Sequence, residues 1–70
     1  MPQFTPKLIL DMKNALEEVM TRVPAKYSTV AVKVFLAECI LKAAAQGHTS
    51  YSELIGAAND HIQVAISLFT

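Results

Sequence analysis

Cys39, His48, His61 and a few scattered carboxylates are the side chains in this 70-residue chain whose types suit nucleophilic, acid–base or metal chemistry. A cysteine becomes a nucleophile when a neighbouring histidine or a helix N-terminus lowers its thiol pKa. Cys39 instead falls between Glu38 and Ile40, in the middle of the most apolar stretch, where a thiol is a small core residue. His48 is the histidine that folding would have to bring to it. His48 and His61 stand thirteen residues apart, neither has a ligand-type residue four away, and together with one cysteine they match no structural zinc spacing. Asp60 and His61 are adjacent and so point in different directions on a helix, which leaves His61 as an edge residue between Ala58 and Ala65. Tyr27 and Tyr51 lie at helix starts, where a phenol packs its ring and keeps its hydroxyl wet. Met12 and Met20 are gap-filling core residues. There is no phosphate-binding glycine loop, no nucleophile elbow and no carboxylate pair on an apolar background. No catalytic, cofactor-binding or metal-ligating residue is assigned, and an enzyme is not expected.

Length and composition point to assembly. A single small domain hides only ~60% of the surface its unfolded chain exposes, and neither a disulfide nor a zinc site is on hand to compensate. With 53% hydrophobic residues the chain holds more apolar side chain than a three-helix monomer covers easily, and a second copy would cover the excess. Formal net charge is zero, yet all six basic residues lie at or before Lys42. The C-terminal part carries only Glu53 and Asp60, which disfavours nucleic acid, whose phosphates are met by Lys and Arg. A membrane partner is not expected either. The longest apolar run is shorter than the ~20 residues of a spanning helix and is broken by charges, and MPQFTPKLIL lacks the basic start of a secretory signal. The expected location is the cytoplasm, where a lone cysteine stays reduced.

Three helices are expected, over about residues 6–22, 29–46 and 51–69. Thr5-Pro6 is a helix start, with Thr5 as cap and Pro6 in the first turn. Ile9, Met12, Leu16, Val19 and Val23 then recur at three and four. Lys7 with Asp11, Lys13 with Glu17 and Glu18 with Arg22 sit four apart on the opposite face. Pro24 ends the helix by driving Val23 out of the α region, and Ser28 or Thr29 caps the next. Val30 to Ala45 is apolar except for Lys33, Glu38 and Lys42. A helix apolar on nearly every side is covered on nearly every side, so this is the central helix. Val30, Val32 and Val34 alternate with Ala31, Lys33 and Phe35 as in a strand, but the alternation stops at Phe35-Leu36-Ala37 and no partner strand is available. Gly47 is the stop, and Ser50 to Glu53 matches a capping box. Tyr51, Ile55, Ala58, Ile62, Ala65 and Phe69 continue in phase through Asn59-Asp60. One amphipathic helix therefore fits better than two, although Asn59 or Asp60 is able to cap a fourth.

Ala37 to Gly47, AECILKAAAQG, together with the capping box and apolar C-terminus that follow, resembles short uncharacterised bacterial proteins. That resemblance covers about the second half of the chain, implies a compact all-helical fold, and transfers no site.

The expected architecture is thus an all-α three-helix bundle with an apolar central helix, completed by homodimerisation. The expected function is a small self-associating protein-interaction module, with an interface formed from Val34, Phe35, Leu36, Cys39, Ile40, Ala43, Ile66 and Phe69. A further protein partner would use the charged face of helix 1 or the polar face of helix 3. The competing function is a DNA-binding regulator of helix-turn-helix type, with Ser50 to Ala58 as the first helix, Asn59-Asp60 as the turn and His61 to Phe69 as the reading helix. Its chemistry is poor, since that helix has no lysine or arginine and only Gln63, Ser67 and the His61 ring address bases.

Overall fold

A computed structural model describes residues 4–69, and every regular element among them is helical. The order is α1 (Pro6–Arg22), a short 3-10 turn (Ala25–Tyr27), α2 (Val30–Ala45), α3 (Tyr51–Asn59) and α4 (Ile62–Phe69). Local chemistry sets nearly every boundary. The Leu8 N–H donates to Thr5 Oγ1 at 3.1 Å, with Pro6 in the first turn. Val23, held before Pro24, is extended at φ −81°, ψ 128° and closes α1. Thr29 rather than Ser28 caps α2, its Oγ1 accepting from the Val32 N–H at 3.2 Å. The valine alternation is therefore helical.

The end of α2 is a Schellman motif. The His48 N–H reaches the Ala43 carbonyl at 2.9 Å and the Gly47 N–H reaches Ala44 at 3.1 Å. That geometry puts Gly47 at φ +97°, the one positive φ among the described residues. The capping box of α3 is complete: Ser50 Oγ accepts from the Glu53 N–H and Glu53 Oε1 accepts from the Ser50 N–H, both at 3.3 Å.

The core is wholly apolar. Val19, Val32, Leu36, Ile40 and Leu54 are its largest fully buried side chains, and no polar or charged residue among those described is buried. Ala15, Ala44, Ala58 and Ala65 are fully covered and let the helices approach closely. α3 packs against both α1 and α2, and α4 packs against α2. The edges are tied by Arg22 Nη1, which donates to Asn59 Oδ1 at 3.3 Å, and by the Tyr51 hydroxyl, which donates to the Asn14 carbonyl at 3.4 Å.

One expectation is corrected. The segment expected as a single helix over residues 51–69 breaks at Asp60-His61 into α3 and α4. The His61 ring is the physical reason. Its Nδ1–H donates to the Ala57 carbonyl at 2.8 Å, while the His61 backbone N–H turns to Ala58 at 3.0 Å. A side chain has entered the i→i−4 ladder, one of the few recognised causes of a helix break. Among the charged pairs expected on α1, Lys7–Asp11 forms at 3.5 Å and Glu18–Arg22 at 3.4 Å. Lys13–Glu17 does not form an ion pair.

Candidate interaction surface

Among the described residues Cys39 and His61 line one groove, while His48 stands apart beside the α3 cap. Cys39 is half-buried, and burial pushes its thiol above the ordinary value. The Lys42 ammonium pulls it back in part, and the Glu38 carboxylate adds to the rise. A raised thiol pKa is the reverse of nucleophile activation. His48 does not approach it. Its Nδ1 pairs with Glu53 Oε2 at 2.9 Å beside the α3 cap. That contact, followed by the two hydrogen bonds from Ser50, holds the Glu53 carboxyl below its usual range. His61, not His48, shares a groove with Cys39. Glu38, Lys42, Gln46 and Ala57 help line this depression of about 500 Å³ between α2 and the α3–α4 joint. No group of three His, Cys, Asp or Glu residues suited to a metal ion occurs among the described residues.

The eight residues expected at an interface do not share one face. Leu36, Ile40 and Ala43 are buried in the chain's own core, Ile40 also forming part of the wall of the α1–α2 groove. Central-helix residues are not interchangeable, because α1 and α3 cover one side of α2 and leave another open. Phe35 and Cys39 are half-buried on the α4 side, where the Phe35 and Phe69 rings meet edge to face at 6.0 Å. Ile66 is half-buried on α4. Val34 alone among the eight lies on the bare side of α2.

That bare side carries an apolar stripe of which the sequence-based interface held Val34 alone. Val30, Val34, Ala37 and Leu41 recur at four, three and four. At 3.6 residues per turn they fall within about 60° of one another and roughly a third of a turn from the buried stripe. Val30 is 79% exposed, Val34 52% and Leu41 46%. The stripe runs into a groove of about 350 Å³ where α1 and α2 diverge, lined by Phe4, Ile9, Met12 and Leu16 on one wall and Ala37, Ile40 and Leu41 on the other. Among the described residues Lys13 is its one charged lining residue. The four-three-four spacing of the stripe was the available signal, masked by the equally apolar residues around it.

No protein-family model, curated protein or solved structure matches the chain. No helix among the described residues is long and apolar enough to cross a membrane. The division into α3 and α4 resembles the segmentation of a helix-turn-helix, but neither helix holds a lysine or arginine to meet phosphate.

Proposed function

We propose that this chain is a helical interaction module that associates with a second copy of itself through the stripe on α2 and the adjoining α1–α2 groove. The exposure of Val30, Val34 and Leu41 in one line is the observation that carries this reading. Contiguous apolar surface of this kind marks an interaction site more often than chance exposure of single residues does. A standard interface takes ~800 Å² from each partner, about a sixth of the 4572 Å² that the chain exposes. Such association also supplies the burial that a chain of this length lacks alone. The cytoplasm remains the compartment we assign, because a lone thiol stays reduced there.

Sedimentation velocity at micromolar concentration tests the reading. The unaltered chain is expected to sediment as a dimer. Val34→Glu and Leu41→Glu, both on exposed positions, are expected to sediment as monomers with an unchanged helical circular dichroism spectrum. A monomeric unaltered chain across the micromolar range sinks the proposal.

A further inference from the structure

The structure assigns an orientation to that second copy: the two α2 helices pair parallel and in register, with Lys13 of each chain facing the partner's Glu38. This inference rests on the self-association proposed above and adds to it how the partner sits. Its basis is the asymmetry of the two edges of the stripe.

α1 borders one edge. Lys13 lines the groove together with Ala37 and Leu41, so its side chain stands at the height of residues 37–41 of α2. Glu38 borders the opposite edge. At 100° per residue it lies about 70° round from the centre of the stripe, on the side away from α1. There it lines the separate groove toward α3 and α4. The two charges thus flank the same segment of one apolar seam on opposite edges. Neither has an ion-pair partner among the described residues.

Symmetry then separates the two ways of pairing. A two-fold interface sets the same patch of each copy against the other. In a parallel pair the axis runs along the helices and brings opposite edges together at equal height. α1 of each copy then meets the Glu38 edge of the other, and two Lys13–Glu38 contacts form. In an antiparallel pair the axis crosses the helices and brings like edges together. Both α1 helices would compete for the same side of the seam, and their Lys13 side chains would converge. The 4-3-4 spacing of Val30, Val34, Ala37 and Leu41 is that of a coiled-coil seam, in which residues flanking the apolar positions set partner orientation through charge. Ala37, the smallest of the four, sits inside the seam and lets the two backbones approach.

Charge exchange and cross-linking test the orientation together. Lys13→Glu and Glu38→Lys are each expected to weaken the homodimer roughly tenfold, since two attractions become two repulsions. An equimolar mixture of the two variants is expected to recover unaltered affinity, because every contact in the mixed dimer is again complementary. In a Cys39→Ala background, Val34→Cys and Leu41→Cys are each expected to form a disulfide-linked dimer on mild oxidation, as both positions meet their own copies only in a parallel register. An antiparallel pair allows at most one of the two to do so. A dimer that neither charge exchange weakens and in which at most one cysteine position links overturns the orientation and leaves self-association standing. A chain that stays monomeric overturns both.

Discussion

The imidazole of His61 donates its Nδ1–H to the carbonyl oxygen of Ala57 at 2.8 Å and so occupies the acceptor that a continuous helix would give to the His61 backbone N–H. The ring therefore acts as a backbone element. It ends α3, and α4 restarts in a direction that lays Ala65 and Phe69 against α2.

Replacing that ring with leucine should cost about 1 kcal/mol, the net worth of one hydrogen bond, with urea denaturation as the measure. The unaltered protein should also show the Nδ1–H tautomer in its imidazole nitrogen NMR shifts at neutral pH. An unchanged denaturation midpoint together with the Nε2–H tautomer would contradict the role given to this residue.

Gly47 offers a cleaner backbone experiment. A β-carbon added there meets nothing within 4 Å, so a substitution is penalised only through its φ of +97°. Gly47→Ala should therefore destabilise by about 1–2 kcal/mol, the cost of placing an L-residue in left-handed backbone. Gly47→Asn should cost less, as asparagine tolerates that region. Equal losses for both would point to something other than conformation.

The α3 cap carries a pH dependence whose sign follows from Glu53. Its carboxyl is held below its ordinary 4.5 by the His48 contact and then by Ser50. A group with a lowered folded-state pKa contributes stability that is fully present above the unfolded value. That contribution fades as pH falls through the lower, folded value. Thermal midpoints measured on the acid side of pH 4.5 should accordingly fall more steeply for the unaltered chain than for Glu53→Gln. Parallel profiles would remove the cap from the acid response.

Leu36 and Val34 lie two residues apart on α2 and should respond very differently. Leu36 is fully buried, and its replacement by alanine should cost about 2–5 kcal/mol. For a domain whose stability is roughly 0.05–0.15 kcal/mol per residue, that removes a large fraction of the total. Val34→Ala, at protein concentrations low enough to keep the chain monomeric, should shift stability by no more than about 0.5 kcal/mol. Denaturant titration of both variants at low concentration measures the difference.

Much of this was written locally in the chain. Thr5 with Pro6, Val23 before Pro24, Gly47, and Ser50 with Glu53 each act on backbone within a few residues. Their effect is legible without knowing the rest of the fold. The break at Asp60-His61 was not, because the apolar period passes through it undisturbed and the interruption comes from a side-chain hydrogen bond. The exposed stripe was hidden for a different reason. In a helix where Val34, Leu36, Ile40 and Leu41 are alike in type, hydrophobicity carries no directional information, and only the placement of α1 and α3 decides which side is covered.

The interior has no polar side chain among the described residues, so no buried hydrogen bond selects one packing over another. Specification has moved to the helix ends, where Thr5, Thr29, Gly47 and Ser50 fix the lengths and starting points of the elements. Volume-conserving exchanges at Leu36, Ile40 or Leu54 leave those instructions intact and are of the kind that cores tolerate best. A protein built this way can drift in its centre while its punctuation stays fixed, and divergent descendants would share their caps and turns long after their cores had ceased to look alike.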